Sequence, residues 1–314
     1  MSSSTAAGSS EKTHRSLVPA RMDRLPWARF HWMIIVGLGI SWVLDGLEIQ
    51  IVSNAGFAKE FHMDAGQVGW VGTIYLVGEV VGALVFGRLS DKLGRRRLFI
   101  LTLLIYLVGS GIAGLSPAIW FLFLFRFIAG MGIGGEYAAI NSAIDELIPA
   151  RYRGHVDIAI NGTYWGGAAL GAAANLYFLS DNFSQNIGWR LAFFIGPVLG
   201  IVIIFLRRHI PESPRWLMTH GREQEAEETI ARIEQQITRH GIKLEPVPES
   251  EAIAVKARGP VSYIEVAKLL LGRYPRRSFL GFSMMVTQAF LYNAIFFTSG
   301  LVLAKFYNVP SDQL

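Results

Sequence analysis

Two carboxylates stand three residues apart in "SWVLDGLEIQ", Ser41 to Gln50, inside an otherwise apolar run. At that spacing on a helix, Asp45 and Glu48 share a face. A charge at mid-bilayer costs about 2.5–3.5 kcal/mol even on a lenient insertion scale, so each acid demands a partner or a cavity. Arg126, in a second apolar run, is the candidate partner. At a rise of ~1.5 Å per residue, Glu48 lies roughly 8 Å and Arg126 roughly 9 Å from the outer boundary, so their depths match. Such a trio can do proton chemistry. Burial favours the neutral acid and a nearby guanidinium the carboxylate, so one acid can stay ionised against Arg126 while the other takes up and releases a proton. A permanent structural ion pair is the other reading of Asp45, Glu48 and Arg126.

Two more acids lie in apolar runs: Glu79, about midway along its run, and Glu136, near the inner end of the Arg126 run. Glu79 can hydrogen-bond in protonated form against a neighbouring helix, and Glu136 can reach basic cytoplasmic loops; structural and functional roles are both open. The polar and aromatic residues placed to contact a solute are Asn161, Tyr164 and Trp165, then Gln288, Tyr292 and Asn293. A Tyr or Trp in such a run also serves as packing or interface belt. Hydrolysis and metal chemistry are not indicated: His31, His62, His155 and His209 scatter at run ends, and the nucleotide loop G-x-x-x-x-G-K is absent. No cofactor, no metal and no enzymatic activity are expected.

The elements that position these residues are membrane spans. Of 314 residues 52% are hydrophobic and 17% charged, with the apolar residues in long blocks; several exceed the roughly 18 residues that a ~30 Å hydrocarbon core requires. Spans are expected at 31–54, 67–87, 97–115, 118–142, 156–179, 189–207 and 278–304, all helical, because a lone segment in lipid must satisfy its own backbone. Arginines precede the first span (Arg15, Arg21, Arg24, Arg29) and follow the second (Arg88, Arg95, Arg96, Arg97), fourth (Arg151, Arg153) and sixth (Arg207, Arg208). The intervening loops carry almost no basic residues, which puts the N-terminus in the cytoplasm. The net charge of +5 is therefore spread between apolar blocks rather than gathered for nucleic acid, and the lack of cysteine excludes disulfides and thiolate metal sites.

Residues 1–29 read as a disordered cytoplasmic tail, 30–207 as a six-helix bundle, 208–277 as a cytoplasmic loop, and 278–314 as a seventh span with the start of an outer loop. Within the loop, Ala226, Ile230, Ile233 and Ile237 fall at helical spacing and predict a surface helix. "YIEVAKLL" reads as a second short helix. Glycines four apart at Gly78 and Gly82, Gly130 and Gly134, Gly162 and Gly166, and Gly167 and Gly171 predict close helix packing.

After the second span stands "GRLSDKLGRRRL", a tight basic turn. Its Gly87, Leu89, Asp91, Gly94, Arg95 and Arg96 closely resemble the signature loop of the major facilitator superfamily. Arg126 with Gly130, Gly132 and Gly134, then "ELIPARYRG", "GWR" and "PESPRWL", resemble the sugar-porter-like branch, matching at Glu146, Pro149, Arg153 and Gly154. By that resemblance Gly87, Asp91, Gly94, Arg95, Arg96, Glu146, Arg153, Glu212 and Arg215 would belong to a cytoplasmic gating network, and Glu48 with Arg126 would occupy the places of a proton-coupling pair. Gln288 roughly matches a polar seventh-helix position. The usual glutamine of the fifth helix is Ala168 here, Asp45 is an added acid as in organic-ion relatives, and "GGEYAA" is similar to bacterial metabolite symporters.

The resemblance implies an all-α polytopic protein of the plasma membrane, the inner membrane of a bacterial cell. It would be a secondary transporter that moves a small organic solute with protons by alternating access. The chain ends just after the first helix of the second half, so a missing C-terminal half is an expected partner beside solute, protons and lipid bilayer. The rival reading is a non-transporting membrane sensor or a truncated, inactive fragment.

Overall fold

A computed structural model describes residues 13–53, 56–178, 183, 185–207, 210–239, 241–256 and 262–307. It falls into two compact units, Met1–Gly259 and Pro260–Leu314. The first contains β1 (Thr13–Ser16), α1 (Val18–Asp23), α2 (Arg29–Ser53), α3 (Gly56–Glu60), α4 (Ala65–Leu93), α5 (Arg95–Ala113), α6 (Ile119–Leu147), α7 (Arg153–Phe178), α8 (Gln185–Arg207), α9 (Pro214–Thr219), α10 (Glu223–Thr238) and β2 (Ile253–Lys256). The second contains α11 (Tyr263–Lys268) and α12 (Pro275–Tyr307). The all-α expectation holds apart from one antiparallel pairing, β1 with β2, in which Thr13 faces Lys256 and Ser16 faces Ile253.

Among the described residues, α2, α4, α5, α6 and α8 contain stretches long and apolar enough to cross a membrane. The expected fifth span forms as α7 but stands outside that set, since α7 carries Asp157, Asn161 and a run of small residues. The expected seventh span forms as α12, of which the side chains of 292–305 lie outside the described residues. The expected turn at 87–98 is narrower than its sequence suggests. α4 continues through Asp91 to Leu93, α5 starts at Arg95, and the chain reverses on Gly94 alone, at φ +90°. A positive φ of that size suits glycine and strains other residues.

The helices pack as two pairs, α2 on α7 and α4 on α6, with α5 against α6 and α8. Glycine makes this possible. A Cβ on Gly134 would sit 1.9 Å from the Glu79 carbonyl oxygen, and one on Gly167 would sit 2.0 Å from that of Val43. Gly162 and Gly166 are the exception among the expected glycine pairs: a Cβ on either meets nothing within 4 Å, so this face of α7 is open among the described residues.

The tail expected to be disordered is corrected over residues 13–29, which form β1, α1 and the start of α2; residues 1–12 lie outside the described residues. Val18, Met22 and Leu25 are buried in one core with Ala226, Ile230, Ile233 and Ile237, the apolar face of α10. A short apolar spacing in a polar segment did not reveal this, because the partner face lies some 200 residues away. Arg21 reaches Glu234 and Glu227, each at 2.5 Å, and Arg24 reaches Glu234 at 2.5 Å. Burial alone pushes the Glu234 carboxyl up, and the hydrogen bonds and charges of Arg21 and Arg24 outweigh it, holding the group below the ordinary 4.5. A depressed carboxylate stabilises the fold above its ordinary value, and the contribution is lost as pH falls through the depressed one. Protection of the amides in residues 13–25 from hydrogen exchange, relative to the free-chain rate at each pH, is therefore expected to hold down to the ordinary glutamate value and to fall only below it. Low protection at every pH would refute the clasp.

Candidate functional site

The bundle interior holds two charge clusters. In the one that the expected topology places outward, α2 and α6 bring Glu48 Oε1 against Arg126 Nη1 as a buried ion pair, the pairing that the matched depths predict. The Arg126 guanidinium lies over the Tyr75 ring of α4, 3.9 Å from its centroid. The Phe193 ring of α8 is 5.9 Å from it. Asp45 takes different partners. Tyr75 donates its hydroxyl to Asp45 Oδ1 at 2.9 Å, and Tyr137 of α6 donates to Oδ2. Tyr137 in turn stacks on Trp42, with centroids 4.2 Å apart and 23° between the planes. Asp45 is thus held by neutral hydroxyls while Glu48 is held by a cation. Glu79 Oε1 is buried with no hydrogen-bond partner among the described residues, as is Glu48 Oε2.

The inner cluster was not anticipated. Glu136 does not reach the cytoplasmic loops; it pairs in the interior with Arg207 of α8, and Ser41 donates its hydroxyl to it. Arg207 also donates to the carbonyls of Gly37, at 3.2 Å, and Phe99, at 3.4 Å, so one guanidinium joins α2, α5, α6 and α8. In sequence Arg207 reads as the basic end of a span, yet its side chain is 1% exposed. Ser41, one turn before Asp45, was the available signal: Ser41, Asp45 and Glu48 form one stripe along α2.

The residues expected to face the cytoplasm converge as two groups. Arg95 pairs with Glu146 at 2.8 Å and with Asp91 at 3.3 Å. Glu212 Oε1 accepts from the backbone nitrogens of Arg95 at 2.9 Å, Arg96 at 3.4 Å and Ser213 at 3.1 Å. The carboxylate therefore sits on the exposed N–H groups at the start of α5, where the helix dipole favours it. Gly94 leaves it room, since a Cβ there would lie 2.3 Å from Glu212 Oε2. Arg153 and Arg215 converge instead on Asp23, at 3.2 and 2.9 Å, an acid from the segment expected to be disordered. Gly87 lies within α4, facing Ala138 across to α6.

The expected solute contacts are less concentrated. Asn161 donates to Asp157 of its own helix, to the backbone oxygen at 2.8 Å and to Oδ1 at 3.1 Å. Tyr164 and Trp165 meet edge to face at 5.6 Å, and Trp165 is exposed. Gln288 is exposed on α12 in the second unit. The side chains of Tyr292 and Asn293 lie outside the described residues. Among the described residues no group of three His, Asp or Glu is arranged to hold a metal ion.

Comparison with known proteins gives this architecture a context. The family model described as "Sugar (and other) transporter" matches residues 46–307. The chain is similar to the niacin transporter NiaP of Acinetobacter baylyi, 31% identical over 293 residues, covering 92% of this chain and 64% of that protein. It is also similar to the inner membrane metabolite transport protein YgcS of Escherichia coli, 31% identical over 216 residues, covering 68% and 48% of the two chains. Among solved structures, the xylose transporter XylE from E. coli in a partially occluded inward open conformation superposes with a TM-score of 0.59 at 22% identity. That match covers 68% of this chain and 56% of the other and establishes a common fold. The chain spans less than two thirds of the length of the curated relatives it matches.

Proposed function

Because the chain belongs to the sugar (and other) transporter family, a family of polytopic membrane proteins, we propose that it works as part of a secondary transporter in the cytoplasmic membrane. The transporter takes up a small organic solute with a proton by alternating access, and its N-terminus is cytoplasmic. The observation that carries this reading is the division of labour in the outer cluster. Glu48 is neutralised by Arg126, whereas Asp45 sits beside it with two tyrosine hydroxyls for partners among the described residues. Asp45 takes up and releases the proton; Glu48 and Arg126 hold the charge around it constant. Asp91, Arg95, Glu146, Arg153, Glu212 and Arg215, with Asp23, form the cytoplasmic gate. The basic residues between spans support the orientation.

The relatives' names include a niacin transporter and a metabolite transporter, which makes a small heterocyclic or organic-acid solute a better first trial than a sugar. The test is uptake by proteoliposomes holding the whole protein, with nicotinate, nicotinamide and xylose, with and without an inward proton gradient. Accumulation of a solute is expected only with the gradient, and Asp45→Asn should lower it about tenfold while solute exchange at equal pH persists. Accumulation by Asp45→Asn equal to the parent's would remove Asp45 from the coupling step.

A further inference from the structure

The Trp42 and Tyr137 rings join α2 to α6 beside Asp45, and both side chains are only partly buried. We infer that this stacked pair is the surface on which the N-terminal unit holds its solute. The solute carries a planar aromatic ring, and Tyr137 ties its binding to the proton on Asp45. The last part rests on the proton-symport reading; the first two do not.

Three observations point to a ring rather than a polyhydroxyl solute. The Trp42–Tyr137 stack is partly accessible, and such ring pairs add a third ring by offset or edge contact. The position at which sugar-porter-like chains carry a glutamine amide is Ala168, which is buried. The Asn161 amide, the nearest substitute on α7, is engaged by Asp157. A sugar would find few donors and acceptors on these helices, and a ring would find a matching partner.

Tyr137 joins the stack to Asp45. Its ring forms half of the stack and its hydroxyl donates to Asp45 Oδ2. When Asp45 takes a proton, that oxygen changes from acceptor of a charge-assisted bond to part of a neutral acid, and the hold on the Tyr137 ring changes with it. Among the described residues, the charged and titratable groups around Asp45 and Tyr137 are Glu48 on α2, Tyr75 and Glu79 on α4, Tyr106 on α5, Arg126 and Glu136 on α6, Tyr164 on α7, and Arg207 on α8. The two arginines are already paired with Glu48 and Glu136. Among the described residues an aromatic acid at the stack would therefore meet the Asp45 carboxylate without a spare cation, and a proton on Asp45 removes that repulsion.

The experiment is equilibrium binding of benzoate, benzamide and cyclohexanecarboxylate to the purified whole protein. Both planar rings are expected to bind about tenfold more tightly than the saturated acid, and Trp42→Ala should weaken both by about tenfold. Benzoate binding should tighten as pH falls, and benzamide binding should change less steeply, since the tie through Tyr137 acts on both rings and the repulsion from Asp45 on benzoate alone. Tyr137→Phe keeps the ring and loses the hydroxyl, so benzamide should bind within about twofold of the parent and lose its pH dependence, while benzoate keeps the part due to its charge. If Trp42→Ala lowers the melting temperature, Trp42→Phe, which keeps a flat ring, should fold and bind both rings. Equal binding of benzoate and cyclohexanecarboxylate, unchanged binding in a folded Trp42→Ala protein, or no binding of any probe to folded protein would overturn the inference. If solute accumulation proves independent of the proton gradient while Trp42→Ala still loses the rings, the symport reading fails and the stacking surface stands. If accumulation is proton-driven and Trp42→Ala binds benzoate normally, the reverse holds.

Discussion

Arg126→Met is expected to leave little folded protein. Arg126 is the cation paired with the Glu48 carboxylate among the described residues, and both side chains are at most 3% exposed. Removing one member of a buried pair leaves the other charge uncompensated, at a cost of about 3–5 kcal/mol. Against a net stability of about 5–15 kcal/mol, that is a large share. The paired change Glu48→Met with Arg126→Met removes both charges and fills the same space, and such replacements are often neutral or stabilising by about 1–4 kcal/mol. The double variant should therefore run as a single symmetric peak on size-exclusion chromatography and melt near the parent. In proteoliposomes it should bind solute without accumulating it along a pH gradient. A well-folded Arg126→Met single variant would show that Glu48 is not charged at this site.

The second large effect belongs to Gly134. Real Cβ contacts essentially never fall below 3.0 Å, and a Cβ on Gly134 would lie 1.9 Å from the Glu79 carbonyl oxygen. The neighbour is backbone, so α4 and α6 must separate along their length, and the cost is expected at or above the usual 1–3 kcal/mol, approximately, of an overpacked core. Gly162→Ala is the control: nothing lies within 4 Å of its Cβ, and alanine is the better helix former by about 1 kcal/mol. Melting curves should thus show a marked drop for Gly134→Ala and no loss for Gly162→Ala. Equal melting temperatures would mean that the α4–α6 contact is looser than these distances describe.

The fold was legible because lipid narrows the choices: long apolar runs must be helices, and the basic loops order them. Much of the site was legible for a similar reason. A charge in hydrocarbon needs a partner, so the matched depths of Glu48 and Arg126 were enough to pair them. The partners of Asp45 were not, because Tyr75 and Tyr137 look like ordinary packing residues until two helices turn them toward one carboxylate. Arg207 was hidden by its position at a span end, where the positive-inside pattern offers a sufficient reason for any arginine. Asp23 was hidden by composition: a short polar segment gives no sign that it will be covered by an apolar helix face from residues 226–237.

The α2 stripe has a mechanical consequence. Ser41, Asp45 and Glu48 lie on one side of a single helix, Arg29–Ser53, and touch the inner pair, the two tyrosines and Arg126 in turn. The helix is a camshaft with three lobes. A roll that lifts one lobe from its follower turns the other two by the same angle, so the innermost and outermost contacts cannot be timed independently.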